Sequence, residues 1–137
     1  MTLDRTPRPT LRALSVVVAD MAATIEFYSR LGLHFADDAA AAPHAETVIG
    51  GLRLMFDTRA VIESFTPTWT VPSGGHAMAL AFECATVAAV DALHDELVSA
   101  GARSLTAPFD AMWGQRYAVV GDPDGNPIDL YCVLPER

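Results

Sequence analysis

The chain repeats itself, and that repeat restricts its fold more than any other feature. Residues 11–19 form an apolar, β-branched run, the composition of a strand. Asp20 then stands where an N-cap belongs. Ala22, Ile25, Phe27, Tyr28 and Leu31 recur at helical spacing until Gly32 stops the helix as a C′ residue. Residues 33–36 and 47–56 read as short strands, the second split by a turn at Gly50-Gly51. The second half follows the same order. Residues 77–84 read as a strand, Thr86 caps a helix carrying Val90, Leu93, Leu97 and Val98, and Gly101 ends it. Strands follow around Ser104, at 117–120 and at 128–133. Each half is thus predicted as βαβββ. The two helix stops lie farther apart than the ~20–50-residue period of stacked solenoids, which indicates two tandem modules. The expected fold class is α+β. Residues 1–10 are an N-terminal arm, 11–57 the first module, 58–76 a connecting segment and 77–133 the second module, within one domain from 11 to 133.

Size and charge narrow the function. At 137 residues and 14.6 kDa one domain can bury about two-thirds of its unfolded surface. No apolar run approaches the ~20 residues needed to cross a bilayer, and no cationic leader with an apolar stretch opens the chain. The formal net charge of −8 repels phosphate backbones and favours cationic or neutral ligands, so neither nucleic acid nor a membrane is an expected partner. The two cysteines, Cys84 and Cys132, each sit in an apolar run without CxxC spacing. They are expected to be buried, reduced thiols of a cytoplasmic protein.

The connecting segment lacks clean periodicity, yet holds Phe65 and Trp69 among Pro67, Pro72 and Gly74-Gly75. Loops of that length often carry binding residues. Near the end of the chain, residues 111–131 read as a β-hairpin around Asp122-Pro123-Asp124-Gly125-Asn126, where Pro presets φ and Gly supplies φ > 0.

That hairpin, the run Phe27-Tyr28-Ser29-Arg30-Leu31-Gly32-Leu33 and the duplicated module together resemble the vicinal oxygen chelate superfamily. It includes the glyoxalase, bleomycin-resistance and extradiol-dioxygenase proteins. The resemblance runs from about Leu11 to Val133 and implies two half-barrel modules enclosing a concave pocket. It also implies four metal-ligand positions, one near the start of each module's first strand and one on each last strand. Matching the two halves places Ala13, Met55, Met78 and Asp129 there. Only Asp129 suits a hard or borderline divalent ion, whereas a catalytic site needs about three protein ligands. The resemblance is therefore closest to the metal-free, bleomycin-resistance-like branch. Its implied cofactor is none, and its implied assembly is a homodimer.

Without a metal, the expected role is sequestering a hydrophobic or cationic small molecule such as an antibiotic. Met55, Met78 and Leu80 supply adaptable walls, Trp113, Tyr131, Trp69 and Phe65 aromatic surface, and Asp129 an anionic handle; Arg116 is either structural or a clamp on a ligand oxygen. His34, His44 and His94 are expected at the surface or behind the ligands. The alternative is a lyase, isomerase or dioxygenase holding one divalent ion on a divergent set that includes His76 and Asp129. A metal-free enzyme with Asp129 as general base, or a module docking a partner protein, stays open as well. Ser15 shares a strand face with Ala13 but has no evident histidine base.

Overall fold

A computed structural model of the chain describes residues 7–136. The first module comprises β1 (Ala13–Val18), α1 (Met21–Arg30), β2 (His44–Ile49) and β3 (Leu52–Thr58). Asp20 caps α1 by accepting the Ala23 N–H at 3.1 Å, and Gly32 leaves the helix at φ +90. β1 runs parallel to β3 and β2 antiparallel to it, which gives the order β1-β3-β2.

The predicted strand at 33–36 does not form. Leu33 and Phe35 are half-buried against the core, but the backbone gains no ladder partner and turns into a short 3-10 segment, Ala39–Ala41. Alternating apolar residues were enough to suggest a strand. Without a partner edge, the flanking Asp37, Asp38 and alanines favour a turn.

After β3, a two-turn helix α2 (Arg59–Phe65) occupies the start of the connecting segment, where the sequence offered no periodicity. Thr58 begins it by accepting the Val61 N–H at 3.4 Å. The second module is complete: β4 (Leu80–Glu83), α3 (Val87–Ser99), β5 (Arg103–Ala111), β6 (Gln115–Gly121) and β7 (Pro127–Val133). Its sheet has the order β4-β7-β6-β5, with β4 parallel to β7. The two sheets stay separate, and no closed barrel forms among the described residues.

Both modules feed one core. Val18, Tyr28 and Phe56 from the first, and Val90, Leu97, Ile128 and Leu130 from the second, are almost wholly inaccessible to solvent. Removing a large side chain from such a core typically costs about 2–5 kcal/mol.

The joint between modules is the β6–β7 turn. Asp122 Oδ1 accepts the backbone N–H groups of Asp124 and Asn126 at 2.9 and 2.8 Å, while Oδ2 accepts the Tyr28 hydroxyl at 2.7 Å and Asn126 Nδ2 at 2.9 Å. Asp124 Oδ1 in turn accepts the Ala19 N–H at 3.1 Å. Burial, then the adjacent Asp122 carboxylate, pushes the Tyr28 phenol far above its ordinary value. The turn that sets the last hairpin's register therefore also fixes the first module. Among the described residues no helix is long and apolar enough to cross a membrane.

Candidate functional site

α3 covers one face of the second sheet through Ala118, Val120, Ile128 and Leu130. Strand alternation puts Tyr117, Asp129 and Tyr131 on the opposite, open face. The parallel register pairs Ala81 with Asp129 and Glu83 with Tyr131, so those two join the open face. Leu80 instead pairs with Ile128 and packs on the core.

The open face carries an aromatic cluster. Phe109 lies opposite Tyr117 across the β5–β6 ladder. Trp113, in the turn between those strands, meets both rings edge-on, with centroids 6.2 Å from Phe109 and 5.3 Å from Tyr117. Trp113 is 57% exposed, and its Nε1 donates to Gln115 Oε1 at 2.9 Å. Beside the cluster, burial and then the neighbouring Asp129 carboxylate push the Tyr117 phenol up to about 12. Sequence reading selected Trp113, Asp129 and Tyr131 but missed Phe109 and Tyr117. Alternation outward from Asp129, carried across the hairpin, would have found Tyr117.

Arg116 points the other way. Its Nε and Nη2 grip Asp91 on α3 at 2.9 and 2.8 Å, and Nη1 reaches Asp110 at 3.1 Å. These bonds raise the guanidinium's already high pKa, Asp91 contributing most. All three contacts tie β6 to α3 and β5, on the side of the sheet away from Asp129.

The first sheet's open face is different. Ala13, Ser15 and Val17 lie beside Arg53, Met55 and Asp57. A polar chain crosses it. Ser15 Oγ donates to Asp57 Oδ2 at 3.3 Å, and His44 Nδ1 lies 2.6 Å from Asp57 Oδ1. His44 Nε2 is 2.9 Å from Glu46 Oε2, and Arg53 closes the chain on Glu46 at 2.6 Å. Hydrogen bonds to Glu46 and then Asp57 raise the His44 pKa, and Arg53 and then His44 lower that of Glu46. The carboxylate stands between serine and histidine, so His44 cannot take the Ser15 proton. His44 opens β2 and is 43% exposed. His94, expected at the surface or behind the ligands, is buried on α3 with Nε2 2.7 Å from Ser104 Oγ.

A third place is the seam between the free edges of β1 and β4, where a cleft of about 290 Å3 opens. Trp69, His76 and Met78 line it. Met78 thus sits apart from Met55 and Asp129, before β4 begins. Phe65, at the end of α2, is 68% exposed and lines no part of this cleft. Among the predicted residues, Met55 lies on the first face, Trp113, Asp129 and Tyr131 on the second, and Trp69, His76 and Met78 at the seam, while Phe65 and Arg116 join none of these groups.

The donor chemistry for a divalent ion is poor. The ligand positions inferred from the two halves hold an alanine, two thioethers and one carboxylate, and Met78 lies at the seam rather than on an open face. His44 has each ring nitrogen on a different carboxylate, so those donors point at imidazole rather than at one centre. Among the described residues no three His, Cys, Asp or Glu side chains group as an ion needs. The residues do not fit the metal that such folds often carry.

Two helix-backed sheets, joined at a buried turn and leaving open faces and a seam, define the class of duplicated βαβ-module proteins. The chain belongs to the Glyoxalase/Bleomycin resistance protein/Dioxygenase superfamily, whose sequence profile matches residues 10–130. Protein Mb0911c of Mycobacterium bovis is 34% identical over 125 residues, covering 84% of this chain and 78% of that protein. A glyoxalase/bleomycin resistance protein/dioxygenase family enzyme from Burkholderia phytofirmans has a similar fold, with TM-score 0.79 and 23% identity over 92% of this chain and all of its own. So does a glyoxalase-related enzyme from Fulvimarina pelagi, with TM-score 0.76 and 21% identity over 90% of this chain and 87% of its own.

Proposed function

We propose that this chain is a metal-free binding protein that takes a hydrophobic or cationic small molecule, of the kind many antibiotics present, on the open face of its second sheet. One observation carries the reading: the exposed Phe109–Trp113–Tyr117 cluster stands beside the Asp129 carboxylate. Exposed rings that pack on one another are pre-organised to stack a planar ligand, and a nearby carboxylate gives orientation to a positive group. Tyr131 extends the platform, and the net charge of −8 favours approach of a cation.

The binding unit is a homodimer, in which a second copy covers this face. Its support is the apolar surface left bare around the cluster, with Met112 97% and Val133 61% exposed. Met55, on the first module's face, then lines the far wall.

The test uses Trp69→Phe protein, in which Trp113 is the only remaining fluorophore of its type, since the chain holds two tryptophans. Proflavine, a planar cation, should quench Trp113 saturably, and Asp129→Asn should weaken proflavine by about tenfold, one charge-assisted contact. Neutral acridine should change little. Absence of quenching rejects the site. About one equivalent of metal per chain after purification without chelators, lost in Asp129→Ala, rejects the metal-free reading and favours the enzyme alternative.

A further inference from the structure

The seam cleft is a second site, independent of the open-face reading. Its walls are mainly apolar, with Leu14, Trp69, Val71, Met78 and Leu80 lining it and Ser15, His76 and Asn126 among them. Its floor is charged, with Arg59 and Asp124 both lining it. Those two do not satisfy each other. Arg59 Nη2 lies 4.0 Å from Asp124 Oδ1, beyond hydrogen-bond reach, and that oxygen already accepts the Ala19 N–H at 3.1 Å. Among the described residues the Arg59 guanidinium makes no hydrogen bond, and Asp124 Oδ2 accepts none. Burial, and the neighbouring Asp122 and Asp20 carboxylates, raise the Asp124 pKa despite the Ala19 bond and the nearby arginine.

A guanidinium fork with spare donors selects a carboxylate, and a carboxylate with a spare oxygen selects an ammonium. Side by side under an apolar wall, they match one class of molecule. We propose that the seam cleft binds a small apolar α-amino acid, its carboxylate on Arg59, its ammonium on Asp124 and its side chain against Trp69 and Met78. A cation alone would meet Arg59, and an anion alone would meet Asp124; only a zwitterion answers both. The volume agrees. At about 290 Å3 the cleft lies at the small end of ligand pockets, which run from about 300 to 1,000 Å3. The floor is also rigid, because the Asp122 and Asp124 bonds that join the modules hold it.

The experiment follows Trp69 emission in Trp113→Phe protein, where Trp69 is the only tryptophan, titrated with L-leucine, isoamylamine and 4-methylpentanoate. Leucine should give a saturable change, and each singly charged analogue should bind about tenfold more weakly or worse, one charge-assisted contact being lost. Arg59→Gln should remove leucine's advantage over isoamylamine, and Asp124→Asn its advantage over 4-methylpentanoate. The Arg59 side chain is 42% exposed and hydrogen-bonds no turn residue, so its variant still reports if Asp124→Asn disturbs the turn. No saturable response to leucine overturns the proposal. So does isoamylamine binding as tightly as leucine, or leucine binding unchanged by Arg59→Gln. None of these outcomes bears on Trp113 and proflavine, so the two sites fail or stand separately.

Discussion

On the open face of the first sheet the charged groups already hold one another: Ser15, Asp57, His44, Glu46 and Arg53 run as a hydrogen-bonded chain. On the second sheet the equivalent surface is aromatic, and Trp113 and Phe109 stand 57% and 38% exposed. Two modules of one design have diverged toward opposite kinds of satisfaction. Paired charges gain little by exchanging a partner for a ligand, since each new contact costs an old one. Bare rings lose only water, so the second face has binding energy to give.

That contrast assumes that the modules are held rigidly together, and the severest way to break it is at their joint. Asp122→Ala removes the acceptor of four hydrogen bonds and strands the buried Tyr28 hydroxyl. The expected loss is about 3–5 kcal/mol of unfolding free energy, measured by urea denaturation. Tyr28→Phe should cost about 1–2 kcal/mol, with much of that already lost in the double variant. A single-variant cost for Asp122→Ala below about 1 kcal/mol would mean that the modules do not depend on this turn.

Next comes the assignment of faces. Leu80 pairs with Ile128 and Ala81 with Asp129, so Leu80→Ala should cost about 2 kcal/mol and Ala81→Ser less than about 0.5 kcal/mol. The reverse order would move β4 by one residue and bring Met78's neighbours back to the open face. Trp113→Ala divides stability from binding. It should raise the Kd of a planar ligand by about tenfold or more, as loss of a central aromatic contact does. Its largely exposed ring leaves the urea midpoint close to that of the parent. A large stability loss with unchanged Kd would make the cluster a packing element.

Much of this was legible in the chain, and the gaps have physical causes. Helix caps and stops are local chemistry, so Asp20, Thr86, Gly32 and Gly101 located α1 and α3 correctly. The Asp-Pro-Asp-Gly-Asn turn likewise marked the last hairpin. Residues 33–36 misled because alternation shows a face to bury but not whether a neighbouring strand supplies hydrogen bonds. α2 escaped because its helix is short and buries no residue fully. Arg116 and Asp129 share a hairpin, yet one-residue parity puts them on opposite faces, which ties one to α3 and sets the other beside Tyr117 on the open face. The charged chain on the first face needed β2–β3 register, since His44 meets Asp57 only across the ladder. The seam cleft depended on tertiary placement of Arg59 and Asp124, residues that no local pattern brings together.

The smallest effect probes the saturated face itself. His44 is bonded to Glu46 and Asp57, and its pKa is raised above the ordinary 6.5. A raised folded-state value means that the charged histidine contributes stability in full below 6.5, and that this contribution fades as pH rises through the folded value. Glu46 behaves oppositely. Its pKa is lowered below 4.5, so its contribution is present above 4.5 and lost as pH falls through the folded value. The chain is therefore worth most between those two limits. With His44 43% exposed, solvent screening keeps its share below about 1 kcal/mol. Urea midpoints of parent and His44→Gln protein, compared from about pH 5.5 to about pH 9, should differ most at the acid end of that range and converge toward the alkaline end. A difference that stays constant with pH would show that His44 is a neutral imidazole, donating its single N–H to only one of Asp57 and Glu46. The first face would then hold a ring nitrogen facing a carboxylate without a proton between them, an acceptor open to a ligand's donor, and the contrast between the two modules would narrow.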